Sequence, residues 1–271
     1  MAKTDIGDLR YLMQRLRKPE TGCPWDLKQT FSSIVPYTLE EVYEVVDTIE
    51  REDYLHLKEE LGDLLFQVIF YSQLAEEQAL FDFQDIVSSL VEKLVLRHPH
   101  VFPDKTLESE RNPDQPEELS SEPEIKKTWE AIKKTEREEK GFHSILADIP
   151  TSFPALTRAQ KLQKRAATQG FDWPSVDGVL DKLDEENNEL KEALMLESPE
   201  HIEEELGDMM FTLVNLCRHL NVDAETSLRH ASRKFEQRFH YVEEAVQAKG
   251  ESLAELPLER MEELWVEAKK K

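Results

Sequence analysis

Four acidic residues in the second half of the chain are spaced so that their side chains can meet around one cation. Glu186 and Glu189 are three residues apart, as are Glu205 and Asp208, and residues three apart share one face of a helix. If the two segments are helices that pack antiparallel, the four carboxylates converge. Because like charges at this density repel each other, a cation is expected among them. Ligands that are all oxygen favour Mg²⁺ or Mn²⁺ over iron or zinc.

The same acidic pattern occurs 145 residues earlier in the chain. EELGDLLF at 59–66 matches EELGDMMF at 204–211, and LEEVYEVV at 39–46 matches DEENNELK at 184–191. The earlier positions equivalent to the four acids are Glu41, Glu44, Glu60 and Asp63. The offset is constant across both segments and the loop between them. This indicates two homologous modules rather than two similar acidic helices.

The elements that carry these acids are predicted to be helices, and the fold class is all-α. Glycine occurs only 8 times, and apolar residues recur at spacings of three and four rather than two. Asp53 is predicted to be the N-cap of the helix with the first octet. Ser198 is predicted to cap the helix with the second, because Pro199 behind it suits a first helical turn.

Two modules of the helical-bundle type are predicted, an N-terminal one at 1–145 and a C-terminal one at 146–271. Sequence matches between the two halves that lie after the octets are separated by fewer residues than the 145 that separate the octets. This indicates extra residues in the first module. The segment 103–124, PDKTLESERNPDQPEELSSEPE, is rich in Pro, Ser and Glu and is predicted to be a solvated loop.

A solvated helix face is the ordinary explanation of one acidic run. Two features favour a binding site instead. The acids of the second octet directly precede a strongly apolar run, so its helix is expected to be central and Glu205 and Asp208 partly buried. Gly62 and Gly207 each occupy a helix interior at a cost of about 1 kcal/mol relative to alanine, which indicates close approach of another helix or a ligand.

Cations recur at helical spacing in both halves, as a phosphate ligand would require. Lys182 lies one turn before Glu186, and Lys234 and Arg238 are four residues apart on a later helix, as are Trp265 and Lys269 on the last. Each pair alone is typical of an ordinary surface. Their recurrence in the first half favours a shared role; the equivalent pairs are Lys93 with Arg97 and Trp129 with Lys133.

Composition excludes several classes of protein. The formal net charge of −23 over 271 residues argues against nucleic acid or anionic membrane surfaces as partners. No apolar run approaches the roughly 20 residues of a membrane helix, and the first residues lack the apolar core of a signal peptide. Only two cysteines occur, Cys23 and Cys217, so a reducing cytoplasm is the expected location.

The doubled EExxE and ExxD pattern resembles the MazG nucleoside triphosphate pyrophosphohydrolases, within the all-α NTP pyrophosphatase superfamily. GCPWD at 22–26, HPHVF at 98–102, RAQKLQKRA at 158–166 and GFDW at 170–173 are similar to local signatures of that family. The likeness extends over nearly the whole chain. It implies a homodimer of helical modules that hydrolyses NTPs and dNTPs to the monophosphate and pyrophosphate.

The resemblance also implies roles for particular residues. The family's Mg²⁺ ligands fall on Glu186, Glu189, Glu205 and Asp208, and in the first module on Glu41, Glu44, Glu60 and Asp63. Its nucleotide contacts fall on Lys182, Glu185, Glu204, Lys234, Arg238, Trp265 and Lys269. The first module departs from the pattern because Tyr37 stands at the position equivalent to Lys182. The main activity is therefore expected in the C-terminal module, and the first can be a degenerate copy used for assembly or regulation.

The implied chemistry is attack of water on the α-phosphorus, with Mg²⁺ as the metal and Mn²⁺ able to substitute. Either Glu185 or Glu189 accepts the proton, and Lys182, Lys234 and Arg238 stabilise phosphate oxygens. Trp265 either stacks on the base or belongs to the core. Two alternatives stay open. One is a narrower enzyme, a dUTP/dCTP-type pyrophosphatase or a phosphoribosyl-ATP pyrophosphohydrolase, and the other is a non-catalytic helical scaffold that binds divalent ions.

Overall fold

The computed structural model describes residues 4–111, 121–142 and 144–270, and within these ranges the secondary structure is helical, without strands. The all-α prediction is confirmed. The α-helices are α1 (Ile6–Leu16), α2 (Phe31–Glu50), α3 (Tyr54–Glu77), α4 (Phe83–Arg97), α5 (Glu122–Glu139), α6 (Ala155–Ala167), α7 (Val176–Met195), α8 (Pro199–His219), α9 (Ala224–Gln247) and α10 (Leu258–Ala268).

The chain folds as two compact units, Met1–Lys133 and Lys134–Lys271. Helix α5 begins in the first unit and ends in the second, and the module boundary between residues 145 and 146 stays a prediction. Part of the predicted loop at 103–124 lies outside the described residues, namely 112–120. The end of that segment is helical, because α5 already begins at Glu122.

Polar residues occupy the N-caps of the four acidic helices, and in α2 and α3 their side chains make capping hydrogen bonds. Asp53 caps α3 as predicted, since its Oδ1 accepts a hydrogen bond from the backbone N–H of His56 at 3.3 Å. Ser198 is the N-cap residue of α8 with Pro199 in the first turn, but its side chain makes no capping hydrogen bond. Thr30 and Ser175, which are 145 residues apart, occupy the N-caps of α2 and α7.

In the first unit, α1, α2 and α4 all pack on α3. A three-residue connection joins α2 to α3, so the two form an antiparallel hairpin. The core lies between these helices. Its buried members are Met13, Ile34, Ile69, Phe70 and Leu74.

The second unit repeats this arrangement with α7 and α8 as the hairpin. Helix α6 packs on α8 and α9, and α10 packs on α9. Val179 on α7 and Val214 on α8 are both buried, at the positions equivalent to Ile34 and Ile69. A second apolar cluster joins α9 to α10, formed by Val242, Val246 and Leu264.

The expectation for α8 is confirmed in part, because the helix packs on α6, α7 and α9 and Glu205 is half-buried, whereas Asp208 is exposed and was wrongly expected to be partly buried. Leu206, Met210 and Leu213 follow one face of α8 and are 39%, 57% and 43% exposed. A Cβ added to Gly62 or Gly207 would meet no atom within 4 Å, so neither glycine makes room for another helix of the described chain. Within the described residues, no helix has the length and hydropathy that crossing a membrane requires.

Candidate metal and nucleotide site

The α7–α8 hairpin brings three acidic side chains of the second unit to one point. Carboxylate oxygens of Glu186, Glu205 and Asp208 all lie within 4.8 Å of one another. Glu186 on α7 is buried at 4% exposure, while Glu205 is half-buried and Asp208 is exposed. The hairpin thus brings together three of the four carboxylates that the spacing of the acids predicts, without Glu189.

These carboxylates repel one another. The pKa of Glu205 is raised, first because partial burial removes water from its carboxylate and then because Glu189 and Glu186 are negative neighbours. Glu189 therefore belongs to the same electrostatic environment, although it is not among the three carboxylates grouped within 4.8 Å. A cation at this point would relieve the repulsion.

Lys182 supplies one positive charge to this group. Its Nζ lies 2.7 Å from Oε1 of Glu185 and 2.9 Å from Oε1 of Glu186. These two hydrogen bonds raise the pKa of Lys182 above its ordinary value. Lys182 is thus the partner that makes a buried carboxylate at Glu186 tolerable.

The donor set fits a hard divalent cation. The carboxylates of Glu186, Glu205 and Asp208 are grouped together, and the ammonium of Lys182 pairs with Glu186 and also with Glu185 outside the group. Oxygen-only donors in a partly open group are typical of Mg²⁺, which is held through a few carboxylates while other positions remain for water and phosphate. One buried member distinguishes this group from an ordinary solvated acidic face.

The first unit has an equivalent cluster at the α2–α3 hairpin. Oxygens of Glu41, Glu44 and Glu60 lie within 4.8 Å of one another. The pKa values of Glu41 and Glu60 are raised, mainly by burial, and the negative charges of Asp63 and Glu44 raise them further. The hairpins therefore repeat the electrostatics as well as the sequence.

The two clusters differ in the partner of their equivalent acids, Glu186, which is buried, and Glu41, which is half-buried. Tyr37, at the position of Lys182, packs its ring edge-on against Trp25 with the centroids 5.6 Å apart. Glu41 instead accepts a hydrogen bond from Nε2 of Gln67 at 3.4 Å. Sequence reasoning missed Gln67, whose only signal was a polar residue inside the apolar run of α3.

The other predicted nucleotide contacts form a separate group on α9 and α10. The Arg238 guanidinium lies 5.9 Å from the ring centroid of Trp265, and Phe235 packs against the same ring at 5.1 Å. Lys234 and Lys269 are exposed, as is Glu204 on α8. Among the described residues, no hydrogen bond or ion pair joins these cations to the carboxylates of α7 and α8.

The fold and the two clusters together define a class: an all-α protein built from repeated hairpins, each with a cluster of carboxylate oxygens that could hold a cation. A family model for the MazG nucleotide pyrophosphohydrolase domain matches residues 29–102 and 175–242. Both carboxylate clusters lie inside the matched residues. The chain belongs to the MazG nucleotide pyrophosphohydrolase family, a family of enzymes.

Curated relatives support this membership along nearly the whole chain. A nucleoside triphosphate pyrophosphohydrolase of Escherichia coli (strain K12) is 50% identical over 269 residues, which cover 98% of this chain and 97% of the relative. A nucleoside triphosphate pyrophosphohydrolase/pyrophosphatase MazG of Thermotoga maritima is 43% identical, covering 97% and 94%. The protein YabN of Bacillus subtilis is 39% identical, but the match spans only 52% of its length.

Proposed function

We propose that this chain hydrolyses nucleoside triphosphates, both NTPs and dNTPs, to the monophosphate and pyrophosphate in a Mg²⁺-dependent reaction, with Mn²⁺ able to substitute. The observation that carries the proposal is the group of converging carboxylate oxygens on Glu186, which is buried, and on Glu205 and Asp208. A relative that is 50% identical over 98% of this chain is named nucleoside triphosphate pyrophosphohydrolase, which supports the proposal.

In this proposal Glu186, Glu189, Glu205 and Asp208 hold the metal. Bound Mg²⁺ lowers the pKa of water and neutralises charge that develops on the leaving pyrophosphate. The chain's own contribution is to hold these carboxylates together before any ligand arrives. Lys182 serves this purpose because its ammonium lies 2.9 Å from Oε1 of the buried Glu186.

The attacking water must lose a proton, and Glu189 is the better placed of the two candidate acceptors. Glu185 already accepts a hydrogen bond from Lys182 at 2.7 Å. Glu189 is exposed, adjoins the charge of Glu205, and makes no hydrogen bond within the described residues. Attack at the α-phosphorus then releases pyrophosphate, whose oxygens Lys234 and Arg238 can bind.

The main activity is assigned to the C-terminal module. Its cluster has an ammonium at Lys182 within hydrogen-bond distance of the buried carboxylate, whereas Glu41 at the equivalent position accepts a hydrogen bond from the neutral amide of Gln67. A triphosphate carries several negative charges, so it gains more from the site with the cation. The N-terminal module is then left for assembly or regulation.

The test is pyrophosphate release from a panel of NTPs and dNTPs by the purified full chain, with Mg²⁺ and with excess chelator. Asp208→Ala and Asp63→Ala form a matched pair at equivalent positions. We expect Asp208→Ala to abolish turnover and Asp63→Ala to retain most of it. Turnover in chelator would contradict the metal requirement. The reverse effect of the two variants would contradict the assignment to the C-terminal module.

The same panel separates the two remaining alternatives. Hydrolysis restricted to dUTP and dCTP would identify a narrower enzyme. A helical scaffold would release no pyrophosphate from any nucleotide and would still bind Mg²⁺. A cytoplasmic location belongs to this proposal, since both Cys23 and Cys217 are free thiols and reduced thiols are typical of that compartment.

A homodimer is also proposed, with a second copy of the chain as the partner for the exposed face of α8. Leu206, Met210 and Leu213 form one apolar stripe, and a stripe of this kind is unfavourable in water. Leu61, Leu65 and Val68 of α3 occupy the equivalent positions and are exposed as well. Light scattering of Met210→Glu, compared with the native chain, tests this; a native monomer would contradict it.

A further inference from the structure

The carboxylate cluster of the first unit has no cation of its own. Oxygens of Glu41, Glu44 and Glu60 are grouped at the α2–α3 hairpin, and the negative charge of Asp63 adds to the repulsion among them. Tyr37 stands where the second unit has its ammonium. Across the part of the chain that the structure describes, no lysine or arginine forms an ion pair with any of these four acids. The cluster therefore favours a cation from solution.

A buried acceptor at this cluster also lacks a partner. Gln67 on α3 is 6% exposed, and its Nε2 donates a hydrogen bond to Oε1 of Glu41 at 3.4 Å. The amide is thus held against the cluster, while its Oε1 has no hydrogen-bond partner in the structure. Because buried polar atoms are nearly always hydrogen-bonded, this orphaned acceptor indicates a ligand that brings N–H donors. Thr212 stands at the equivalent position of the second unit, so the acceptor is particular to the first.

Aromatic surface lies one turn of helix away from the cluster. Tyr37 precedes Glu41 by four residues on α2, so the two side chains share one face of the helix. The ring of Tyr37 meets the ring of Trp25 edge-on at 5.6 Å, and these residues are 39% and 48% exposed. Aromatic faces attract organic cations. A metal ion that keeps its water shell gains little from such rings, so the rings favour an organic cation at this cluster.

The exposed position of Trp25 is built into the fold. The buried side chain of Arg17 donates hydrogen bonds to the backbone oxygens of Asp26 and Gln29 and forms an ion pair with Glu77 of α3 at 2.7 Å. Nε2 of Gln29 in turn donates to the backbone oxygen of Trp25 at 3.0 Å. These bonds hold the segment that carries Trp25 against α1 and α3. The ring is therefore in place before any ligand arrives, which lowers the cost of binding.

We propose that the α2–α3 cluster of the first unit binds an aliphatic amine of the diamine or polyamine class. One ammonium of the ligand lies among the carboxylates of Glu41, Glu44 and Glu60 and donates to Oε1 of Gln67. Its aliphatic chain covers the two exposed rings. An ammonium has three N–H donors and no acceptor, which matches a group made of acceptors alone. The proposal does not depend on catalysis, and it gives the N-terminal module a ligand of its own.

The test is calorimetric titration of the full chain with spermidine and with putrescine, in chelator and at physiological ionic strength, which weakens diffuse attraction to an acidic surface. Tyr37→Lys installs the residue of the second unit and places a competing ammonium at the cluster. Tyr43→Lys is the matched control, because Tyr43 is exposed on the same helix but lies two residues from Glu41, on another face. Gln67→Met removes the orphaned acceptor and keeps the length of the side chain. Trp25→Leu removes a ring, and thermal unfolding checks that each variant is folded.

We expect saturable binding of spermidine to the native chain, with the affinity reduced tenfold or more by Tyr37→Lys and unchanged by Tyr43→Lys. Gln67→Met and Trp25→Leu should each weaken binding severalfold. Absence of saturable binding would overturn the inference. Equal weakening by the two lysine variants would also overturn it, because the amine would then be held by the overall negative charge of the chain. Unchanged affinity in Trp25→Leu would contradict the part assigned to the rings.

Glu60→Gln and Glu205→Gln, which are at equivalent positions, decide which unit holds the amine. We expect Glu60→Gln to weaken spermidine binding tenfold or more and Glu205→Gln to leave it unchanged. The reverse result would place the amine at the α7–α8 hairpin and overturn the inference. Pyrophosphate release is measured separately on the native chain, and its absence would refute the proposed function without affecting the result on amines.

Discussion

Replacement of Lys182 by methionine tests whether this ammonium exists to balance the buried acid. The variant keeps a long unbranched side chain but removes the charge 2.9 Å from Oε1 of Glu186. Breaking a fully buried ion pair costs about 3–5 kcal/mol because an unpaired charge remains. The side chains of Lys182 and Glu186 are 31% and 5% exposed, so water offsets part of the loss, and we expect about 2 kcal/mol by this reasoning.

The assay is calorimetric unfolding of the full chain in chelator and in excess Mg²⁺. In chelator, about 2 kcal/mol corresponds to a fall in Tm of roughly 6–10 °C for the unit Lys134–Lys271. With Mg²⁺ the deficit should shrink, because the metal takes over neutralisation of Glu186. Lys191→Met is the control on the same helix, where the ammonium has only Asn188 as a hydrogen-bond partner. An equal fall with and without Mg²⁺ would refute the reasoning.

Three further predictions concern the same hairpins. Because the pKa of Glu205 is raised, the charge of this carboxylate destabilises the metal-free fold above that pKa. Glu205→Gln should therefore raise the Tm at pH 7. The gain in Tm should vanish as the pH falls through the raised pKa of Glu205. Tyr37→Lys should place an ammonium one turn before Glu41, lower the raised pKa of that carboxyl, and be visible in NMR titration. Gly207→Ala should stabilise the metal-free chain by about 1 kcal/mol, since a Cβ there meets nothing within 4 Å. Gly178→Ala should destabilise the chain because its Cβ would lie 2.5 Å from a tryptophan ring carbon. Thermal unfolding of both variants measures the difference.

Helices and the convergence of the acids could be predicted because both depend on local spacing. The cap at Asp53 and the start of α8 at Pro199 follow from residue types next to the helix. The carboxylates of Glu186 and Glu205 come together once two helices of known phase are joined by a short loop. No long-range information is needed for either step.

Features that depend on tertiary contacts between residues distant in the sequence could not be predicted. Gln67 balances Glu41 because the α2–α3 hairpin places it opposite, and nothing local indicates that pairing. The open surroundings of Gly207 and the exposed side of α8 were missed for a related reason, since an apolar run alone does not show which of its faces is covered. A cavity lined by Gln163, Thr212 and Asn215 depends on how residues distant in the sequence pack, which only the folded structure reveals.

The most direct test of the account is hydrolysis of a nucleoside triphosphate with Mg²⁺ in ¹⁸O-labelled water, using Glu205→Gln and Glu60→Gln as the matched variants. We expect label in the monophosphate alone, loss of turnover in Glu205→Gln, and turnover largely retained in Glu60→Gln. Label in the pyrophosphate would contradict attack at the α-phosphorus. Unchanged turnover in Glu205→Gln would contradict the assignment of catalysis to the carboxylates of α7 and α8.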